Sequence, residues 1–372
     1  MKQDTLMEDI PSMTAGNVVD SLARMYCSAL EHDTALHGLP SVMLWGPPGV
    51  GKSQAVRQLA ERIERRSGRR AEVTDVRLLL FNPIDLRGIP TANADRTLAV
   101  WLKPQIFQMD ESDDVLNILF LDELSAAPQA VQAAAYQLAL DRVVGEHRLP
   151  DNCVVMAAGN RTTDKSVAFK MPKALANRLM HIEVQVEFES WRQWAVSHGV
   201  NPKVTGFLSF RQENLMEFDP SSNALAFPTP RSWEMVSNLL NAAGGSVDEL
   251  YPLVAGLVGT GVATELRTWE RVYGELPSVE DIFDGVGSPP PTSTDGLYAL
   301  VSAMTAYARD HKDEIHRIAN SIRYAQQLPP DYSVILMKDY LVLDDGYRER
   351  LLEIPEFVRW LETKGRFAGV GI

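Results

Sequence analysis

Residues 41–53 read Ser-Val-Met-Leu-Trp-Gly-Pro-Pro-Gly-Val-Gly-Lys-Ser. The first five are apolar enough for a short buried strand. The next eight match G-x-x-x-x-G-K-[ST], and from residue 53 to 66 a helical pattern follows, with Val56, Leu59, Ala60 and Ile63 on one face and several arginines on the other. A strand, a glycine-rich turn and a helix in that order form the context in which this motif cradles phosphate. Glycines let successive backbone N–H groups turn inward, and the helix aims its positive end at the same place. Gly46, Pro47, Pro48, Gly49, Val50, Gly51, Lys52, Ser53 and Gln54 are therefore the candidate nucleotide-binding residues, with ATP and Mg2+ as the expected cofactors. Lys52 supplies a cation for the β- and γ-phosphates and Ser53 a hydroxyl for Mg2+.

Working outward, further strands are predicted at 72–81, 115–121, 153–158 and 181–188, and a helix from Pro128 to Arg142 with Val131, Ala134, Ala135 and Leu138 at helical spacing. Strands alternating with helices imply an α/β fold, a five-stranded parallel sheet between helices. The strand ending Ile-Leu-Phe-Leu closes on Asp122 and Glu123. Adjacent acids at a strand end are common on surfaces. After a phosphate loop they gain chemistry: Asp122 to hold Mg2+, Glu123 to orient and polarise the attacking water. The strand Val-Val-Met-Ala-Ala-Gly ends on Asn160. Locally Asn160 is equally a turn amide after Gly159 or a group that positions water beside the γ-phosphate.

After about residue 190 the pattern becomes helical, at 189–198, 231–243, 247–273 and 296–328, with an exposed connection at 285–295. The expected organisation is a helical lead-in at 1–40, an α/β nucleotide-binding core at 41–190, and a helical lid with a C-terminal helical extension at 191–372. The length of 372 residues suits two or three packed units. Hydrophobic residues at 45% and charged residues at 23% place the chain among ordinary globular proteins.

Gly-Pro-Pro-Gly-Val-Gly-Lys-Ser, Leu-Phe-Leu-Asp-Glu-Leu, Ala-Ala-Gly-Asn, Ala-Leu-Ala-Asn-Arg-Leu and Pro-Thr-Pro-Arg-Ser-Trp together resemble an AAA+ ATPase, and within that superfamily the MoxR group with its CobS-, NorQ- and CbbQ-like proteins. The motifs span residues 41–235. The resemblance implies catalytic roles for Glu123, for Asn160 as sensor 1, for Arg178 as the arginine finger serving a neighbouring subunit, and for Arg231 as the sensor-2 arginine of the lid. Cations brought to the equatorial oxygens by a neighbour and a lid stabilise phosphoryl transfer. It also implies a helix-2 insert within 82–110 and a pre-sensor-1 insert at 142–150, facing a pore or a partner; an ordinary hairpin shielding a sheet edge is the other reading. Finally it implies a ring of copies, expected as a hexamer, that remodels or activates a client protein together with a von Willebrand factor A-domain protein.

Other chemistry finds little support. The net charge of −13 disfavours a nucleic-acid binder, which needs a basic surface, so an McrB-like motor on nucleic acid is the lesser reading. A nucleotide-gated scaffold without turnover is disfavoured by intact Lys52, Asp122 and Glu123. The seven histidines show no metal-ligand spacing, and His181 reads as structural. Trp191 and Trp194 read as core of the helical region. No leader pattern and no stretch approaching eighteen uninterrupted apolar residues suggest a cytoplasmic chain without membrane insertion. Of the two cysteines, Cys153 opens a buried strand, so a free thiol is expected rather than a disulfide.

Overall fold

The computed structural model describes residues 10–32, 34–161, 164, 171, 173–344 and 346–365. The chain divides into two compact units. One holds the residues up to Val186 together with Asp219–Ser222; the other holds Glu187–Phe218 and the chain from Asn223 onward.

In the first unit the elements run β1 (Ser12–Thr14), α1 (Ala15–Glu31), β2 (Ser41–Trp45), α2 (Lys52–Ser67), β3 (Arg70–Arg77), α3 (Pro83–Arg87), β4 (Ile89–Ala92), β5 (Ala99–Leu102), β6 (Val115–Asp122), α4 (Gln129–Asp141), β7 (Val143–Val144), β8 (His147–Arg148), β9 (Cys153–Gly159), α5 (Lys173–Ala176) and β10 (Leu179–Gln185). The sheet order is β1-β10-β2-β9-β6-β3, with every pairing parallel. The five strands expected from the sequence are its body. A sixth, β1, joins the edge; at three residues it is too short for a period-2 pattern, and the sequence reading had it inside the helical lead-in.

The central strands β2, β6 and β9 are buried almost throughout, which explains their unbroken apolar runs: helices cover both faces of a parallel sheet. Helix α2 turns Ala55, Val56, Leu59, Ala60 and Ile63 inward and stops at Gly68, whose φ of 71° gives the left-handed C-cap. Strand β3 is shorter than the predicted 72–81, because Leu78–Leu80 turn off the sheet into a single tight turn. Two antiparallel hairpins leave the core, β4–β5 and β7–β8, within the two segments read as inserts. Both cysteines are buried free thiols, and burial pushes Cys153 up to about 11.

The second unit is helical: α6 (Phe188–Ser197), α7 (Pro202–Phe210), α8 (Pro230–Ala243), α9 (Tyr251–Val258), α10 (Thr260–Gly274), α11 (Val279–Phe283), α12 (Thr294–Asp310), α13 (Ile315–Ala325), α14 (Pro330–Leu341), α15 (Tyr347–Leu352) and α16 (Pro355–Trp360). The predicted helix 247–273 is two helices, because Gly259 adopts φ 85° and ψ 154° and ends the first. The predicted 296–328 is likewise α12 and α13, separated by a polar turn at 311–314. Its core gathers Leu300, Met304, Ile322, Met337, Phe357 and Trp360, and Trp191 is buried in this unit too. An ion pair crosses the interior: Arg192 donates to both carboxylate oxygens of Asp339, at 3.0 and 2.6 Å, and also to Ser209 Oγ, while Thr305 Oγ1 donates to Asp339 at 3.0 Å. Among the described residues no helix is long and apolar enough to cross a membrane.

Candidate active site

The loop between β2 and α2 lies at the carboxyl end of the parallel strands, where ligands of open α/β sheets bind. Glycine is required at two of its positions for different reasons. At Gly46, φ is 151° and an added Cβ would lie 2.8 Å from the carbonyl oxygen of Val184. Gly51, the N-cap of α2, sits at φ 99° with open space around it, so backbone conformation alone selects glycine there. No side chain caps α2, so its first-turn N–H groups face the loop as anion donors.

Lys52 is buried at the first turn of α2. Its ammonium donates to Gly46 O at 2.7 Å, Pro47 O at 3.0 Å and Asn160 Oδ1 at 3.0 Å. Next to it Ser53 Oγ donates to Asp122 Oδ2 at 2.9 Å, and the other carboxylate oxygen, Oδ1, accepts from Glu123 N at 2.9 Å. Residues 52, 53, 122, 123 and 160 therefore form one connected set, drawn from α2 and the ends of β6 and β9. Glu123 is exposed and holds a left-handed backbone, φ 58°, which costs a side-chain-bearing residue about 1–2 kcal/mol. That turn points the acid out of the strand direction rather than continuing it.

Asp75 of β3 titrates above the ordinary carboxylate range, first because it is partly buried and then because Asp122 is negative nearby; Arg77 and Arg57 pull the other way. Arg57 Nη2 approaches Asp75 Oδ2 at 3.7 Å.

Arg178 follows α5 in the first unit, and Arg231 sits in the first turn of α8 in the second. Both are exposed, and neither makes a hydrogen bond or ion pair among the described residues. The structure thus gathers the loop, Asp122, Glu123 and Asn160, and leaves the two arginines outside that set. His181 is bonded within the fold on both ring nitrogens: Nδ1 accepts from Trp45 Nε1 at 2.8 Å, and Nε2 donates to Ala176 O at 2.7 Å.

Three residues of the site escaped the sequence reading. Asp75 is one. Ser125 is the second, buried and bonded to the backbone of Asn160. The third is Gln132, whose amide donates to Ser125 O and Ala127 O at 3.2 and 3.1 Å. Gln132 did leave a signal: a long polar side chain beside Val131, Ala134 and Ala135 on the apolar stripe of α4. Buried amides of this kind are bonded to something.

Residues 42–189 match the family AAA, ATPase family associated with various cellular activities. The matched segment runs from β2 to the start of α6, so it contains Lys52, Ser53, Asp122, Glu123, Asn160 and Arg178 and leaves Arg231 outside. No curated protein matches the chain. Among solved structures it is similar to a variant of RuvB from Thermotoga maritima, at 17% identity, covering 79% of this chain and 84% of that one, with a TM-score of 0.37. It is also similar to NtrX from Brucella abortus in complex with ADP, at 14% identity, covering 94% and 68%, with a TM-score of 0.37.

Proposed function

We propose that the chain is a Mg2+-dependent AAA+ ATPase of MoxR-like type. In this reading it works as a ring of copies, a hexamer, and uses ATP hydrolysis to remodel or activate a protein partner alongside a von Willebrand factor A-domain protein. The observation that carries the ATPase reading is the connected set Lys52–Asn160 at 3.0 Å and Ser53–Asp122 at 2.9 Å at the mouth of the phosphate loop. A lysine and a hydroxyl from α2, a carboxylate from β6 and an amide just beyond β9 meet there in an arrangement that suits phosphoryl transfer to water.

Ser53 and Asp122 present hard oxygen donors side by side. That suits Mg2+, which takes one or two protein oxygens and fills its remaining positions with water and phosphate. When bound, Mg2+ neutralises charge on the phosphate oxygens. Lys52 donates to neutral carbonyl and amide oxygens, and phosphate oxygens accept stronger, charge-assisted bonds than these. Glu123 lies beside Asp122 and accepts the proton of the attacking water on its carboxylate, while Asn160 orients that water. Arg178 is exposed and makes no hydrogen bond or ion pair among the described residues, which suits service to the neighbour's nucleotide; Arg231, at the start of α8, would close on the γ-phosphate as part of the lid. The protein-partner reading gains support from the β4–β5 hairpin, which carries Ile89, Leu98 and Leu102 exposed to water.

Phosphate release from Mg-ATP tests the reading. Glu123→Gln should keep ATP binding and lose about 10²–10³-fold in turnover. Wild-type release no faster than this variant's would end the ATPase reading. Arg178→Ala should be inactive alone and regain turnover when mixed with Lys52→Ala, each supplying what the other lacks. No recovery would remove the trans role, and light scattering of the ATP-loaded Glu123→Gln protein measures the ring.

A further inference from the structure

Asn160 stands one residue beyond the sheet. Strand β9 pairs with β2 as far as Gly159 opposite Trp45, and with β6 as far as Ala157 opposite Leu121. The backbone N–H and C=O of Asn160 therefore have no ladder to enter, and main-chain groups leaving water need partners. One side chain serves both. Ser125 Oγ accepts from Asn160 N at 3.0 Å and donates to Asn160 O at 3.1 Å. The hydroxyl's single hydrogen is used, and so is one lone pair; it acts in place of the missing strand.

The neighbourhood is built for this contact. A Cβ at Gly159 would lie 2.7 Å from Ser125 Oγ and 3.0 Å from Ser125 Cβ, so the hydroxyl reaches Asn160 only because residue 159 lacks a side chain. The turn bearing Ser125 is tied on every side. Leu124 N donates to Ala158 O at 2.8 Å, and Ala126 N and Ala127 N donate to Glu123 O at 3.0 and 3.2 Å. Gln132 holds Ser125 O and Ala127 O from α4. Glu123 and Asn160 thus belong to one hydrogen-bonded block with Ser125 at its joint.

We infer that Ser125 is a positioning residue for hydrolysis: its hydroxyl sets the carboxamide of Asn160 against the carboxylate of Glu123, so that both meet the same water. The inference rests on the ATPase reading and extends it to a buried residue bonded to the backbone of Asn160.

The test separates turnover from binding. Ser125→Ala should lower kcat about 10- to 100-fold, the scale of a misplacement near 1 Å, and leave the affinity for a fluorescent ATP analogue with Mg2+ within about twofold. Gly159→Ala approaches the same joint while leaving the serine in the sequence. It forces Oγ away, and its other close neighbour, Met43 Cε, is the free end of a flexible side chain. It should reproduce the kcat loss, and the double variant should lose no more than either single one, because both break one linkage. A kcat within twofold of wild type in either single variant overturns the inference. So does a parallel loss of affinity, which marks general damage, or additive losses in the double variant. Absence of Glu123-dependent turnover in the unsubstituted protein overturns the ATPase reading, and this inference with it.

Discussion

Each unit buries a cation, and the two are satisfied differently. In the helical unit Arg192 lies against Asp339, its carboxylate partner, and Ser209 and Thr305 complete the cluster. In the sheet unit Lys52 donates to two loop carbonyls and an amide oxygen. The carboxylate of Asp339 is a permanent counter-charge for Arg192; the three oxygens named for Lys52 are neutral, and phosphate oxygens accept stronger bonds than they do. Neutral acceptors alone do not define a binding cation, however. Arg142 is also buried, and it donates to Cys153 O at 3.1 Å and Leu39 O at 3.0 Å. Arg142 braces the start of β9, the sheet end opposite the loop, and burial pulls its pKa below the usual arginine range. Position in the sheet separates the proposed nucleotide-binding cation from Arg142.

The sharpest way to break this contrast is Lys52→Ala. It should cost about 2–5 kcal/mol of nucleotide binding, measured by titration with an ATP analogue, while the nucleotide-free protein keeps its urea midpoint. A large loss of stability would make Lys52 a structural cation like the others. Arg192→Met should do the reverse. Leaving Asp339 buried and unpaired costs about 3–5 kcal/mol in urea unfolding, whereas replacing both Arg192 and Asp339 by leucine should cost far less. Arg142→Met should be milder, about 1–3 kcal/mol, with nucleotide affinity per folded molecule unchanged. The smallest effect concerns pH. Burial raises Cys153 from 9.0 to about 11, so the fold prefers the neutral thiol. That contribution is intact below pH 9 and is lost as pH rises through about 11, with buried Tyr26 shifted in the same direction. Urea midpoints at pH 8 and pH 11 should diverge less in Cys153→Ala.

Most of this was readable from the chain. The loop announced itself because glycine conformations and a phosphate-seeking lysine leave an obligatory spacing, and the buried strands because burial on both faces demands apolar runs. Asp122 and Glu123 stood at a strand end after such a loop. What escaped has a common cause: it depends on contacts between distant segments or on turns without punctuation. Ser125 follows Leu124 as an ordinary serine; its meaning lies in Asn160, across the sheet. The break between α12 and α13 falls at His311-Lys312-Asp313-Glu314, where no glycine or proline interrupts the periodicity. At Gly259 punctuation was present, but Gly256 and Gly261 flank it, and only the backbone tells which of the three ends a helix.

On the proposed role of Glu123, its left-handed backbone sets heat resistance against turnover. Glycine would occupy φ 58° without strain, so Glu123→Gly should raise the unfolding temperature of the protein. A directed screen that rewarded survival at high temperature and nothing else would therefore discard the acid at this position. Its gain in ruggedness would be bought with the proposed proton acceptor, and on that proposal the hardest variant to melt would be one that holds ATP without hydrolysing it.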